Sequence, residues 1–211
     1  MNKAVSDNLE RFLPTRQSLL ERLKRWDDQE SWRDFFNTYW GMLYRTAARA
    51  GLSDAEAQDV VQDTIIMVAK KMESFRYDPA VDSFKGWLLY LTRKRIAMEY
   101  RKRERRGLQF HPDAAEPTAE LDQIPDPGGL NLESVWEEEW ARTMWTQAIS
   151  KVKEKVALKQ FQMFDLYVVK ERPALEVAQA LGVTVAQVYL AKHRVSGLVK
   201  QELGQLRGKL G

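Results

Sequence analysis

Four carboxylates, Asp54, Glu56, Asp59 and Asp63, lie within ten residues with no cation among them, and Glu56, Asp59, Val60 and Asp63 share one helical face at i, i+3, i+4, i+7. Carboxylates one turn apart can begin a metal site or an acid/base pair. Nothing else in the chain completes either. There is no cysteine, and the two histidines, His111 and His193, stand far apart. No second acid-rich helix supplies the remaining ligands of a carboxylate-bridged centre. No metal or other cofactor is therefore expected, and no catalytic residue. The helix dipole accounts for acids in a first turn, Asp54 and Glu56, but not for Asp59 and Asp63 two turns in. These carboxylates, with Gln62 between them, read as a docking surface for a basic partner.

The strongest charge contrast lies further on. From Lys85 to Arg106 there are nine Lys/Arg (Lys85, Arg93, Lys94, Arg95, Arg101, Lys102, Arg103, Arg105, Arg106) against Glu99 and Glu104, a net +7 in 22 residues. The whole chain carries only +3. Aromatic residues interleave with these cations and with the loop before them: Phe75, Arg76, Tyr77, Phe84, Trp87, Tyr90 and Tyr100. Flat rings beside phosphate-neutralising cations are what single-stranded nucleic acid requires, and such a loop can hold a flipped base. A plainer reading stays open for the rings, in which Phe84, Trp87, Leu88 and Leu91 are simply core.

Near the C-terminus, Ala178, Gly182 and Val188 fall at helix-turn-helix spacing: a small residue where two helices touch, glycine at the turn, an apolar plug in the second helix. Thr184 to Gln187 is a capping box opening that second helix. Val188, Ala191, Val195 and Leu198 face inward at helical spacing, which leaves Thr184, Gln187, Tyr189, Leu190, Lys192, His193 and Arg194 outward, and no acid occurs between Glu176 and Glu202. An acid-free outward face suits a reader of the DNA major groove. Gln187 and Arg194 are suited to adenine and guanine edges and Lys192 to phosphate. An antiparallel helix pair in an ordinary bundle is the alternative.

The elements that must position these residues are all helical by period, so the fold class is all-α. Thr15 caps a short helix with Leu19, Leu20, Leu23 and Trp26. Ser31 and Asp34 form a capping box for a helix with Trp32, Phe35, Phe36, Tyr39, Leu43 and Ala47 on its core face, ended by Gly51. Ser53 and Glu56 open the next, through Lys71, with Val61, Ile65, Val68 and Met72 inside. Further helices are expected from Phe84 to Arg105, Ser134 to Lys159 and Gln160 to Lys170, with a shorter pair after Ala174. From Gly107 to Ala141 there is no Lys or Arg but nine acids, and four of the seven prolines fall between Pro112 and Pro127, which reads as an extended acidic linker. The expected organisation is an N-terminal helical extension (1–30), a first helical domain (31–106), the acidic Pro-containing linker (107–133) and a second helical domain (134–211). The longest apolar run, Trp87 to Leu91, is five residues, where a membrane span needs about 20. No membrane partner is expected, and the absence of cysteine fits a reducing, cytoplasmic setting.

These motifs, in this order, resemble the bacterial RNA polymerase sigma factors of the extracytoplasmic-function type, group 4 of the sigma-70 family. Asp59-Val60-Val61-Gln62-Asp63-Thr64 resembles the core-polymerase-binding motif of region 2.2. Phe84-Lys85-Gly86-Trp87-Leu88, continuing through Thr92-Arg93-Lys94-Arg95 to Tyr100-Arg101-Lys102, resembles the promoter-melting and minus-ten-reading helix. Val135-Trp136-Glu137-Glu138-Glu139-Trp140, Arg172-Pro173 and the stretch from Val177 to Val195 resemble region 4, the minus-thirty-five reader. The resemblance spans Ser31 to Arg106 and Ser134 to Lys200.

The resemblance implies a dissociable initiation subunit with no chemistry of its own. It would bind core RNA polymerase through Glu56, Asp59, Val60, Gln62 and Asp63. The minus-ten DNA, melted, would be held by Phe75, Arg76, Tyr77, Trp87, Arg93, Lys94, Arg95, Arg101 and Lys102. Duplex at minus thirty-five would be read by Thr184, Gln187, Tyr189, Leu190, Lys192, His193 and Arg194. An anti-sigma protein is a further candidate partner. The chain departs from the family pattern at Lys94, where asparagine is common, and at Met98, where a carboxylate is usual; both positions bear on minus-ten base specificity. The rival reading is a stand-alone helix-turn-helix transcription regulator whose N-terminal half senses or dimerises, but such a half has no need of a net +7 aromatic-rich helix.

Overall fold

The computed structural model describes residues 17–25, 27–75, 84–107 and 131–207. Among them every regular element is a helix: α1 (Gln17–Leu23), α2 (Gln29–Arg49), α3 (Asp54–Met72), α4 (Phe84–Gly107), α5 (Leu132–Lys155), α6 (Leu158–Phe164), α7 (Ala174–Leu181) and α8 (Val185–Arg207). A five-residue π-helical turn, Asp165–Val169, extends α6. No single helix among the described residues is long and apolar enough to cross a membrane. The chain divides into two compact units within α5, between Thr143 and Met144.

In the first unit, α3 packs on both α2 and α4. Local chemistry sets the ends of these helices. Asp28 caps α2, its carboxylate accepting from the Ser31 N–H at 3.0 Å; the cap thus lies three residues ahead of the expected Ser31, because the carboxylate reaches a donor that the Ser31 hydroxyl cannot. Gly51 turns the chain after α2 with φ +86°, and a Cβ there would meet the Tyr100 hydroxyl at 2.9 Å, so both conformation and space require glycine. At α3 the Ser53–Glu56 capping box forms as the spacing predicts.

The centre of this unit is aromatic. Phe35, Tyr39 and Phe84 are fully buried and in mutual ring contact, with Leu88, Met42, Leu43 and Met72 also at zero or one per cent exposure. A second cluster joins Ala47, Ala50, Leu52, Ala57, Val60 and Ile96 to Leu132. Phe36, expected in the core, is instead exposed and stacks on the exposed Trp40 at 6.2 Å. It sits one position beyond the stripe that Phe35, Tyr39 and Met42 occupy.

The domain boundary expected at Ser134 falls about ten residues later. Leu132, Val135, Trp136, Glu139, Trp140 and Thr143 recur at helical period and are all buried. This stripe packs within the first unit, where the Trp140 ring stacks on Tyr39 at 5.8 Å. An apolar stripe of this size, two tryptophans included, is worth several kcal/mol of burial at roughly 1.5–3 kcal/mol per large side chain.

In the second unit, α8 lies against α6 and α7. Met163, Val177, Ala178, Val188 and Ala191 form its core around the turn, flanked by Leu166, Tyr167, Leu181 and Val185. The expected single helix Ser134 to Lys159 ends at Lys155 and restarts at Leu158. After the π-helical turn, Glu171 adopts φ +53°, and its neighbour Arg172 donates its N–H to the Leu166 carbonyl at 3.0 Å. This left-handed step redirects the chain into α7.

Candidate nucleic-acid interface

Helix α4 carries its cations on distinct faces, and each face meets different partners. Toward α3, Arg103 pairs with Glu56, Arg95 with Asp63 (3.5 Å) and Lys102 with Asp59 (3.9 Å). Three of the four carboxylates singled out in the sequence thus face the basic helix of the same unit. Glu56 is held hardest: the Arg103 guanidinium and the Ser53 hydroxyl and N–H together lower its carboxyl to about 2. The Arg103 guanidinium also lies over the Tyr100 ring, and the Tyr100 hydroxyl donates to the Ala50 carbonyl.

Toward α5, Lys85 pairs with Glu137 at 2.5 Å and Arg93 with Glu133. Arg45 and Arg49 of α2 extend the row to Glu139 (2.6 Å) and Glu138 (2.6 Å), and Lys85 Nζ also stands 5.7 Å from the Trp140 ring centroid. Sequence reasoning missed this row. Its signal was present in four glutamates and two tryptophans at helical spacing from Glu133 to Trp140, but nothing local says which cations they meet.

What remains on α4 is a single stripe. Lys94, Met98, Arg101 and Arg105 recur at i, i+4, i+7, i+11, and the three cations make no ion pair among the described residues. The two positions that depart from the family pattern, Lys94 and Met98, both fall on it. Met98 holds Arg95 through its sulfur at 3.4 Å.

Two residues assigned to binding are relocated by the fold. Val60 is 1% exposed inside the Ala47–Ile96 cluster and supports α3 from within; the i, i+4, i+7 face it shares with Glu56 and Asp63 borders α4. The outward stripe of α3 is Ala55, Asp59, Gln62 and Ile66, all exposed. Phe75, at 9% exposure, is packed 4.4 Å from Trp87 and 6.3 Å from Phe84. It is a wall of the aromatic cluster, and the half-exposed Trp87 is the ring that reaches the surface. Arg76 and Tyr77 lie outside the described residues.

In the second unit, the chain direction changes by 104° between α7 and α8, within the range of helix-turn-helix pairs. Gly182 makes the turn at φ +59°, a left-handed position that favours glycine. All seven residues expected outward, Thr184, Gln187, Tyr189, Leu190, Lys192, His193 and Arg194, are exposed, and Val188, Ala191 and Val195 are buried. Four of the seven are already engaged. Gln187 Oε1 accepts from the Thr184 N–H at 2.8 Å and its hydroxyl at 3.3 Å. Lys192 Nζ sits 5.6 Å from the Tyr167 ring centroid, where Tyr189 meets the same ring edge-on at 5.6 Å. His193 and Arg194 make no ion pair among the described residues.

No group of three or more His, Asp or Glu among the described residues is placed to hold a metal ion. The arrangement presents charge and stacked rings. No curated protein matches the chain. Residues 35–106, about a third of the chain, match the family model for sigma-70 region 2. The matched segment begins at the buried Phe35 and ends on the basic helix α4. The chain therefore carries a sigma-70 region 2 domain, which supports a sigma-70 family sigma factor, a non-enzymatic protein of transcription initiation that works with core RNA polymerase and promoter DNA.

Proposed function

We propose that the chain is a sigma factor of the extracytoplasmic-function type, with its sigma region 2 domain joined by the acidic segment to a region 4 helix-turn-helix. The observation that carries this reading is the acid-free outward face of α8, set beyond a left-handed glycine turn, in the same chain as a region 2 match. A region 2 domain alone accounts for strand capture; a second DNA-reading helix adds an upstream anchor.

In this reading, Asp59, Gln62 and Asp63, with the exposed Ile66, meet core polymerase. Asp59 lies at only 3.9 Å from Lys102 and Asp63 at 3.5 Å from Arg95, long enough for both to be shared with an incoming basic surface. The stripe Lys94, Arg101 and Arg105 neutralises phosphates of the melted minus-ten strand and Trp87 offers a stacking plane. On α8, Arg194 and His193 reach base edges at minus thirty-five, whereas Gln187 must give up its capping bond before it can bridge an adenine. The acidic stretch from Gly107 onward is repelled by DNA and suits a basic channel of polymerase. An anti-sigma protein would compete for the same Asp59–Ile66 face.

The test is reconstitution. The chain should comigrate with core RNA polymerase on a sizing column, and the assembled holoenzyme should enrich two sequence elements from a random duplex library. Failure to comigrate would remove the sigma assignment, and enrichment of only a downstream element would remove region 4.

A further inference from the structure

Leu190 is the most exposed of the large apolar side chains described, at 69%. It stands in the middle of the outward stripe of α8, one turn after Ala186 and Gln187 and one turn before His193 and Arg194, all exposed. None of its polar neighbours covers it. Tyr189 turns aside to the Tyr167 ring, Lys192 lies over that same ring, and Gln187 folds back onto Thr184. The fold gains nothing from a leucine here, since water surrounds it and Val188, Ala191 and Val195 fill the interior.

The surroundings identify what would cover it. An apolar protein groove would call for a broader apolar rim, but on its stripe Leu190 has only the small Ala186 as an apolar neighbour beside polar and cationic side chains, with no acid from Val177 to Gln201. An isolated methyl group set between phosphates is the complementary surface. The major groove of duplex DNA presents such a group only at thymine, whose C5-methyl is its one apolar feature. We infer that Leu190 reads the 5-methyl group of a thymine in the upstream promoter element and so selects T over C at one position. This rests on the reading of α8 as a duplex reader. Lys192, held on Tyr167, and Gln187, held in the cap, keep clear of that contact, which leaves Leu190 beside His193 and Arg194 as the specificity residues of the helix.

The experiment uses the holoenzyme and the duplex it selects from a random library. Each thymine of the upstream element is replaced in turn by deoxyuridine, which keeps every hydrogen-bonding group and removes only the methyl. One position should lose about fourfold in affinity, the worth of roughly one buried methylene. In Leu190→Ala that thymine/uracil difference should vanish, while the salt slope and the binding of random duplex stay as in the parent because no charge is lost. Leu190→Met, which keeps an apolar tip, should retain the difference. Equal binding of thymine and uracil duplexes at every position, or a difference that persists in Leu190→Ala, overturns the inference. Arg194→Ala separates the two levels. If it relaxes selection while Leu190→Ala does not, the helix reads duplex without Leu190; if neither variant changes selection, the duplex-reading assignment of α8 falls with it.

Discussion

Helices α4 and α8 both carry clustered cations, and they differ in what those cations do in the folded chain. On α4, Lys85, Arg93, Arg95, Lys102 and Arg103 each face a carboxylate of α3 or α5. On α8 no cation pairs with a carboxylate among the described residues, and the one cation with a described partner, Lys192, rests on a ring. The first arrangement lets a helix of net +7 pack inside a compact unit without self-repulsion, and it leaves the stripe of Lys94, Arg101 and Arg105 without an ion pair among the described residues. The second leaves Leu190, His193 and Arg194 of the outward face unengaged, because a helix pair anchored by Val188, Ala191 and Val195 needs no charge to hold it. Excess charge in a sequence therefore measures supply; the count of unpaired cations measures binding capacity.

The difference can be broken most severely from inside. Val60→Asp should destabilise the first unit by about 3–5 kcal/mol, since it buries a carboxylate with no partner in the Ala47–Ile96 cluster. Gln62→Ala, two residues on and exposed, should leave stability within about 0.5 kcal/mol. Urea denaturation of the two variants decides whether α3 is oriented as described; equal midpoints would reverse it.

Pairing can be tested next by its effect on salt dependence. Glu133→Gln with Glu137→Gln removes a carboxylate partner from each of Arg93 and Lys85 and should steepen the salt slope for a single-stranded oligonucleotide by up to roughly 1.4, at about 0.7 per added phosphate contact. Lys94→Ala with Arg101→Ala should flatten it by a similar amount at unchanged melting temperature. Arg95→Ala should leave the slope nearly as it was, since that guanidinium is occupied by Asp63 and the Met98 sulfur. Filter binding across a salt series reads all three, and a slope that follows total charge whichever cation is removed would erase the distinction between paired and free.

The smallest effect is at acid pH. Because the folded-state pKa of Glu56 is lowered to about 2, its pairing with Arg103 contributes stability that is complete above the ordinary glutamate range and is lost as pH falls through that value. The stability difference between the parent chain and Glu56→Gln should be largest near neutrality and close toward zero around pH 2. An offset independent of pH, followed by denaturation at each pH, would assign the cost to the capping box geometry rather than to the charge.

The sequence by itself determined the helical class, the capping boxes at Ser53 and Thr184, the glycine turn at Gly182 and the inward set Val188, Ala191 and Val195. These are local: a 3.6-residue period, a hydroxyl three residues from a free N–H and a φ that only glycine adopts freely are written within one or two turns of chain. It also supplied the net charge of the basic helix. Only the tertiary structure decided where that charge is spent, since Arg49 and Glu138 are 89 positions apart and Arg103 and Glu56 are 47 apart. The same holds for Val60, Phe36 and Phe75, whose exposure depends on which helix lies across them. A residue's type and spacing fix the face it occupies on its own helix, while the neighbour that covers or pairs that face arrives from distant chain and is set by the packing of the whole unit.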